Sequence, residues 1–175
     1  GGGNVAMDAA RCAKRLGAEV HIVYRRSEAE LPARAEEVHH AKEEGIIFDL
    51  LTNPVSIEGD EKNHVQSLTC IRMELGEPDA SGRRSPVPQP GSDFDIACDT
   101  VIAAIGQRTV APSEVNKDKR GNIVIGKDIR CADGAVFAAG DCVTGPKTVV
   151  EAVAAGHNAA DAAAAAIAQN SVFIF

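Results

Sequence analysis

Apolar residues recur every three or four positions directly after the three glycines that open the chain. This spacing predicts a short helix, for which Gly17 supplies a C-terminal stop. The apolar positions of the predicted helix are Val5, Ala6, Ala9, Ala10, Ala13 and Leu16. The run AEVHIVY that follows, at residues 18–24, predicts a buried strand.

A second helix is predicted over residues 27–46, with Pro32 in its first turn and Gly45 at its end. From Ile46 to Glu74 the pattern changes to short apolar runs separated by polar residues. This change predicts short strands that form an antiparallel meander inserted into the α/β unit.

Residues 76–92 are polar and rich in proline and glycine, which predicts an exposed hairpin tip. Two adjacent arginines, Arg83 and Arg84, lie in this segment. They either contact a partner subunit or keep the loop solvated, and the sequence leaves both interpretations open.

Apolar runs return in the second half of the chain. The stretch CDTVIAAIGQRT at 98–109 predicts a strand that ends at a glycine turn. The stretches GNIVIG at 121–126 and GAVFAAGD at 134–141 predict two strands of a second unit. The alanine-rich residues 148–168 predict a long helix.

The glycine-rich start fits a dinucleotide-binding fingerprint. Gly1, Gly3 and Ala6 match G-x-G-x-x-A, in which the first glycine allows a tight turn and the second lets a pyrophosphate approach the backbone. The third, small residue lets the helix pack closely on the sheet. The helix N-terminus offers free N–H groups and a positive dipole end to a phosphate. A purely structural turn is the alternative interpretation of these glycines.

Two arginines, Arg25 and Arg26, stand at the end of the strand predicted after the first helix. A domain that binds NAD(H) usually has an acidic residue there for the ribose 2′-hydroxyl, whereas arginine suits a 2′-phosphate. The pair therefore favours NADP(H) over NAD(H). The alternative is two solvated arginines at a strand end.

A second nucleotide signature lies in GAVFAAGDC, where a strand of small residues ends in Gly140 and Asp141. The Asp141 carboxylate is expected to accept hydrogen bonds from ribityl hydroxyls of a flavin. The N–H groups of Thr148, Val149 and Val150, at the start of the long helix, are expected to meet the electron-rich edge of the flavin ring. The alternative is an aspartate that only caps a turn.

Composition narrows the function classes further. The formal net charge of −7 and a pI near 5.2 argue against nucleic acid or an anionic membrane as the main partner. The five cysteines form no C-x-x-C pair, so the sequence indicates no zinc ribbon, iron–sulfur site or redox disulfide. No apolar run reaches the roughly 20 residues that span a bilayer, and no signal peptide precedes the glycines, so a cytoplasmic location is expected.

Several stretches together resemble the small (beta) subunit of NADPH-dependent glutamate synthase and related FAD- and NAD(P)-dependent oxidoreductases. They include GGGNVAMDAAR, MELGEPDASGRR, AAIGQ and VFAAGD, and the resemblance covers almost the whole chain. It implies an α/β fold of the two-dinucleotide-binding flavoprotein type, in which a Rossmann-like NADP-binding domain with an inserted antiparallel β-meander is joined to an FAD-binding domain. Hydride then passes from NADPH to FAD, and electrons leave through iron–sulfur clusters to a partner subunit.

The resemblance implies cofactor-binding residues in four groups and no catalytic or metal-binding residue. The groups are the phosphate loop of Gly1, Gly2, Gly3, Asn4, Val5 and Ala6; the 2′-phosphate site of Arg25 and Arg26; the turn over the cofactor of Ala104, Ile105 and Gly106; and the flavin contacts Gly140, Asp141, Thr148 and Val149.

The resemblance also implies what this chain lacks. The N-terminal cysteine clusters of the family and the first half of its FAD domain are absent, so we expect FAD to bind weakly or not at all and the fragment alone to be inactive. The expected partner is the glutamate synthase large subunit or a related electron-acceptor subunit. The alternatives are the large subunit of a ferredoxin:NADP transhydrogenase, a sulfide dehydrogenase, and a non-catalytic NADP(H)-binding module.

The expected domains are an NADPH-binding domain at 1–109, with its hairpin insertion at about 55–97, and a C-terminal portion of the FAD-binding domain at 110–170. The last residues, 171–175, read SVFIF and have the composition of a strand. We expect them to pair between residues 19–24 and 100–105, because an empty central position would leave two strand edges unpaired. The strand comes from the same chain or, in a homodimer with strand exchange, from a neighbour.

Overall fold

The structure is a computed structural model that describes residues 1–78, 80, 82–131 and 136–169. The chain divides into two compact units, Gly1–Gly106 and Gln107–Phe175. Among the described residues, no helix combines the length and apolar character that crossing a bilayer requires.

The first unit begins with a βαβ-type layer. Its elements are helix α1 (Asn4–Arg15), strand β1 (His21–Tyr24), a 3₁₀ turn (Glu28–Glu30), helix α2 (Ala35–Glu43) and strand β2 (Ile47–Leu50). Strands β1 and β2 pair in parallel, with His21 opposite Ile47. A parallel pair needs a crossover connection, and α2 provides it. The predicted helix and strand at the start of the chain are therefore confirmed.

The two helices share one apolar core with the parallel strands. Met7 and Ala41 are fully buried at its centre. Its remaining buried members are Ala10, Ile22, Val38 and Ile46. At the rim, Arg11 pairs with Glu37 at 2.7 Å and with Glu44 at 2.9 Å. The small alanines let the helices pack closely, and the arginine joins their polar faces.

The prediction of one continuous helix over residues 27–46 is wrong. A 3₁₀ turn closes first, with Ser27 and Glu30 forming a capping box. Leu31 then leaves the helical region at φ −60° and ψ 125°, because the ring of Pro32 disfavours helical backbone in the preceding residue. Pro32 lies in the loop before α2 and not in its first turn.

A three-stranded antiparallel sheet follows, in the order β3 (Thr52–Gly59), β4 (Val65–Pro78) and β5 (Arg84–Ala97). The predicted meander is therefore present, with one correction. Strand β2, expected within it, pairs in parallel with β1. The chain changes sheet at Leu51, whose positive φ of 49° turns the backbone between β2 and β3.

The hairpin tip predicted at 76–92 is much shorter than expected. Strand β4 continues to Pro78 and β5 resumes at Arg84, so only residues 79–83 separate them. The alternating prolines of β5 are compatible with pairing, because β5 pairs with β4 on one side and is an edge strand of the described sheet. The proline-rich composition led the sequence prediction to a loop at this point.

The apolar stretch 98–109 is not in a strand, which corrects another prediction. A strand exists through its ladder of hydrogen bonds, and residues 101–105 have no ladder partner among the described residues. Gly1 lies beside this segment and donates its amino group to the carbonyl of Val23 at 3.0 Å. The strand predicted from residues 171–175 lies outside the described residues.

The second unit contains helix α3 (Asp141–Thr144) and helix α4 (Val149–Gln169), which confirms the long alanine-rich helix. Its predicted strands are reduced to isolated bridges, Lys117 with Ile123 and Arg130 with Phe137. The prediction of two full strands at 121–126 and 134–141 is therefore wrong for the described part, where pairing does not extend beyond single bridges. Residues 132–135, which overlap the second of these stretches, lie outside the described residues.

Candidate functional site

The three glycines at the start of the chain have different surroundings. A Cβ on Gly1 would collide with the carbonyl oxygen of Ala104. A Cβ on Gly2 would lie 2.7 Å from Cδ2 of Leu31 and 2.8 Å from Cδ2 of Tyr24. A Cβ on Gly3 would have no heavy atom within 4 Å. The first two glycines therefore let the loop pack on its own unit, whereas the third faces open space where a ligand can approach the backbone.

The N-terminus of α1 has the properties of an anion site. The Gly3 carbonyl accepts from the N–H groups of Ala6 at 3.0 Å and Met7 at 3.2 Å. No side chain caps this end, and no acidic residue lies in the first turn. The N–H groups of Asn4 and Val5 have no acceptor within the helix, and the positive end of the dipole is not neutralised by a carboxylate.

The loop between β1 and α2 is attached to the glycine loop. The N–H of Ala33 donates to the carbonyl of Gly2 at 3.1 Å, and the N–H of Arg34 donates to Oδ1 of Asn4 at 2.9 Å. With the contact of Gly1 to Val23, these bonds bring both ends of the 25–34 segment to the glycine loop. The Asn4 side chain, a predicted cofactor contact, therefore joins the two segments.

The two predicted 2′-phosphate residues differ in environment. Arg25 is exposed at the end of β1, where a ligand can reach its guanidinium. Arg26 is only 6% exposed, and its Nε donates to the carbonyl of Arg84 at 2.7 Å. The Arg26 carbonyl also accepts from the N–H of Leu51 at 3.1 Å. Arg26 is thus fixed by the antiparallel sheet, while Arg25 faces solvent.

One candidate residue was missed from the sequence. Arg34 is exposed, occupies the N-cap position of α2, and has its backbone bonded to Asn4 of the glycine loop. Helix N-termini favour acidic residues, which α2 has at Glu36 and Glu37, and the Arg34 side chain makes no capping hydrogen bond, so helix capping does not account for an arginine at this position. That mismatch was the available signal, but the predicted continuous helix placed Arg34 in a helix interior.

Part of the turn that was predicted to close over the cofactor lies next to the glycine loop. The Ala104 backbone is packed against Gly1. Ile105 is 82% exposed, and Gly106 follows with a positive φ of 90°. The exposed isoleucine provides an apolar surface beside a glycine turn, and Ala104 brings this turn to the first glycine.

The four predicted flavin contacts form a separate group in the second unit. Gly140 has a positive φ of 75°, and Asp141 begins α3 and accepts from the N–H of Lys147 at 3.3 Å. Thr148 caps α4, since the N–H of Glu151 donates to its hydroxyl at 3.3 Å. The N–H of Thr148 donates in turn to the carboxylate of Glu151 at 3.0 Å, whereas Val149 is 79% exposed.

This capping box changes what the start of α4 can offer a flavin. Hydrogen bonds from the hydroxyl and N–H of Thr148 hold the pKa of Glu151 below its usual range, so the carboxylate is charged at neutral pH. The Thr148 N–H predicted to face the flavin already has an acceptor. Of the residues predicted here, Asp141 and the exposed start of α4 at Val149 and Val150 fit cofactor contacts better than Thr148.

Across the part of the chain that the structure describes, no group of three or more His, Cys, Asp or Glu side chains is arranged to hold a metal ion.

Comparison with known proteins identifies the family. A family model described as pyridine nucleotide-disulphide oxidoreductase matches residues 1–156. The chain is 50% identical over 165 residues to the NADP(+)-dependent formate dehydrogenase subunit beta of Moorella thermoacetica, covering 91% of this chain and 23% of that protein. It is 42% identical over 187 residues to the NADPH-Fe(3+) oxidoreductase subunit beta of Geobacter sulfurreducens, covering 91% and 28%. It is 39% identical over 171 residues to the glutamate synthase [NADPH] small chain of Escherichia coli, covering 92% and 36%.

Solved structures agree with the fold. Thioredoxin reductase of Lactococcus lactis matches with a TM-score of 0.74 at 25% identity, over 96% of this chain and 51% of that one. Mycobacterium tuberculosis FprA in complex with NADPH matches with a TM-score of 0.68 at 19% identity, over 96% and 51%. The predicted two-dinucleotide-binding flavoprotein fold, the resemblance to the glutamate synthase small subunit and its relatives, and the cofactor class of NADP(H) and FAD are confirmed. The chain spans about a quarter to a third of the length of these curated relatives.

Proposed function

Because the chain belongs to the pyridine nucleotide-disulphide oxidoreductase family, we propose that it carries the electron-entry part of an NADPH-dependent flavoprotein subunit. Residues 1–109 are its NADPH-binding domain, and residues 110–170 are the C-terminal portion of its FAD-binding domain. The observation that carries this proposal is the glycine loop, where open space beside Gly3 meets an uncapped helix N-terminus with no acidic residue in its first turn.

Each part of NADPH has a matching group in the first unit. The N–H groups of Asn4 and Val5 are suited to the pyrophosphate, because they lack helical acceptors and lie at the positive end of α1. The exposed guanidiniums of Arg25 and Arg34 are suited to the 2′-phosphate, since arginine forms charge-assisted, often bidentate bonds with phosphate. Buried Arg26 adds a positive charge held in place by the Arg84 carbonyl.

The two cofactors, when bound, would supply the chemistry of hydride transfer from nicotinamide to flavin. The chain itself binds and orients these groups. Ala104, Ile105 and Gly106 would hold the nucleotide, and Gly140, Asp141 and Val149 would hold the flavin. Thr148 acts as a helix cap that fixes the start of α4, because its N–H donates to the carboxylate of Glu151.

The electron acceptor belongs to a partner subunit, and two candidates have support. Similarity to the glutamate synthase small chain favours the glutamate synthase large subunit, with glutamate formation as the final reaction. The 50% identity to a formate dehydrogenase beta subunit favours a second candidate, in which the same domain exchanges electrons between NADP(H) and formate oxidation. A cytoplasmic location is part of the proposal in both cases.

Cofactor binding tests the first part of the proposal. We expect the 175-residue chain to bind NADPH at least about tenfold more tightly than NADH, a difference of ~1.4 kcal/mol, when nicotinamide fluorescence is titrated at fixed salt. Arg25→Met combined with Arg34→Met should remove most of that preference. Arg15→Met is the matched control, because Arg15 pairs with Glu44 at the opposite end of α1. Equal affinity of the unaltered chain for both nucleotides would contradict the proposal.

The acceptor is tested on the longer natural protein with its partner subunits. NADPH-dependent glutamate formation would support the glutamate synthase assignment, and formate-dependent NADP⁺ reduction would support the second candidate. NADPH-dependent reduction of an artificial dye with neither physiological reaction would point to the transhydrogenase or sulfide dehydrogenase alternatives. If the flavin-loaded protein binds NADPH and reduces no acceptor, the chain is the non-catalytic NADP(H)-binding module.

A further inference from the structure

Arg84, the first residue of β5, reaches from the antiparallel sheet to the end of β1. Its Nε donates to Oε1 of Glu30 at 3.1 Å, and its carbonyl accepts from Nε of Arg26 at 2.7 Å. The Arg84 side chain is half exposed, whereas the Glu30 side chain is 8% exposed. A single residue of the hairpin therefore contacts both a buried carboxylate and one of the arginines of the candidate 2′-phosphate site.

Glu30 brings a negative charge into the segment that joins Arg25 and Arg26 to Arg34. Its carboxylate accepts from the hydroxyl of Ser27 and from the Ser27 N–H at 3.2 Å, and its backbone carbonyl accepts from the hydroxyl of Tyr24 at 2.7 Å. The Ser27 hydroxyl first, and Arg84 in addition, hold the pKa of Glu30 below its usual range. Glu30 is consequently ionised at neutral pH.

A buried anion in this segment opposes the binding of a phosphate dianion at the arginines of the same segment. Charges of like sign in a partly desolvated site repel strongly, and burial reduces screening by salt. Only a neighbouring positive charge offsets this repulsion between the Glu30 carboxylate and a bound phosphate. Among the residues that the structure describes, the ion-pair partner of the Glu30 carboxylate is Arg84.

The hairpin is also joined rigidly to this region. Leu51 donates its N–H to the carbonyl of Arg26 at 3.1 Å and accepts from the N–H of Met73 on β4 at 2.7 Å. Arg26 is thus bonded to β4 through Leu51 and to β5 through the Arg84 carbonyl. The position of Arg84 relative to Glu30 is set by these backbone bonds as well as by the ion pair.

We propose that Arg84 is a positioning residue for cofactor specificity: its guanidinium neutralises Glu30, so that the arginines of the candidate 2′-phosphate site can bind the 2′-phosphate of NADPH. The inference rests on the proposed function of this site. It assigns to the inserted antiparallel sheet a part in distinguishing NADPH from NADH, although Arg84 itself need not contact the nucleotide.

The test compares NADPH and NADH affinities of the 175-residue chain by nicotinamide fluorescence. Arg84→Met leaves the Arg84 carbonyl, and hence its bond to Arg26, in place. We expect this variant to bind NADPH about tenfold more weakly and NADH within about twofold of the unaltered chain. The double variant Arg84→Met with Glu30→Gln should recover most of the NADPH affinity, because the unpaired carboxylate is gone. Arg84→Lys should keep most of the preference, and Arg15→Met, which breaks another Arg–Glu pair, should keep all of it.

The outcomes separate the two proposals. If the unaltered chain shows no preference for NADPH, the proposed function fails. If it prefers NADPH and Arg84→Met keeps the same ratio, or weakens NADPH and NADH equally, the role of Arg84 is only structural and this inference is overturned. If Arg84→Met does not fold by circular dichroism, the double variant decides: a ratio close to that of the unaltered chain supports the inference, and a lost ratio overturns it.

Discussion

The three glycines at the start of the chain are chemically identical, yet the structure gives them different requirements. Gly1 and Gly2 are packed so closely that a methyl group would meet a carbonyl oxygen in one case and two side chains in the other. Gly3 has open space and an ordinary extended backbone, with φ −89° and ψ 177°. Any restriction at Gly3 therefore comes from a ligand and not from the fold.

A pair of substitutions separates these requirements. Gly3→Ala should change the free energy of unfolding by no more than about 0.5 kcal/mol, because nothing lies within reach of the added methyl. The same change should weaken NADPH binding about tenfold, because the methyl fills the space for the pyrophosphate. Gly2→Ala should cost about 1–3 kcal/mol of stability through contact with Tyr24 and Leu31. Urea unfolding and fluorescence titration measure the two effects, and full NADPH affinity in Gly3→Ala would count against the loop as a phosphate site.

The lowered pKa of Glu30 predicts how the folding stability of the chain responds to acid. Its pKa in the folded chain is lowered, chiefly by the Ser27 hydroxyl and then by Arg84, so the unfolded chain binds more protons as the pH falls below the ordinary glutamate value. The contribution of Glu30 to stability is therefore present at neutral pH and is lost as the pH falls through the folded pKa.

Glu30→Gln should accordingly lower Tm at pH 7. The Tm difference between this variant and the unaltered chain should shrink as the pH falls from roughly 5 to 3. Thermal melts followed by circular dichroism at half-unit pH intervals measure this. Glu44 serves as the comparison, since its pKa is also lowered, chiefly by Arg15, at a place remote from the site. A Tm difference that stays constant with pH would show that Glu30 does not titrate as described.

The antiparallel sheet has an interior of its own. On β4, Leu68, Cys70 and Met73 are buried, and Cys70 is fully inaccessible between Pro54 of β3 and Phe94 of β5. Also on β4, the Arg72 guanidinium lies 4.0 Å from the ring centroid of Phe94. This packing keeps the long, proline-containing strand β5 paired where composition alone favours a loop.

Thiol reactivity reports on that interior. Burial raises the pKa values of Cys70 and Cys98, whereas Cys12 is exposed on α1. Only the thiolate reacts quickly with iodoacetamide, so Cys12 should be labelled first and Cys70 about 100-fold more slowly. Mass spectrometry of timed samples gives the order, with all five cysteines labelled in guanidinium as the control. Labelling of Cys70 as fast as Cys12 would show that the sheet does not pack as described.

At the scale of the whole chain, the residues proposed for the two cofactors lie in different units. The glycine loop, the arginines and Ala104 belong to Gly1–Gly106, and the candidate flavin contacts belong to Gln107–Phe175. The curated relatives that the chain matches are three to four times longer, since the match covers 23–36% of their length. The proposed function therefore predicts that NADPH is recognised by the first unit.

Hydrogen exchange tests this assignment across the chain. Saturating NADPH should slow exchange in the first turn of α1 and in residues 25–34, and should leave residues 107–131 and 136–169 unchanged. NADH at equal fractional saturation should protect the first turn of α1, whereas the exchange rates of residues 25–34 should stay closer to those of the free chain. Protection confined to the second unit would contradict the assignment.

Local features were predicted well from the sequence where residues close together in the chain determine the backbone conformation. The glycine loop, α1, β1 and the long helix α4 follow from spacing and helix termination. Prediction failed where two local signals compete, as at Leu31, where the periodicity favoured a helix and Pro32 prevented one. It failed also in β5, where prolines suggested a loop and cross-strand pairing formed a strand.

The sequence by itself determined that the chain begins with a glycine-rich loop and a helix and that two arginines follow the next strand, because these features lie in residues close together along the chain. Only the tertiary structure decided the environment of each arginine. Arg25 and Arg34 are exposed beside the loop, Arg26 is buried, and Arg84 joins it from a strand 58 residues away. Burial and ion pairing are properties of neighbours in space, and sheet pairing brings those neighbours together across separations that no local pattern records.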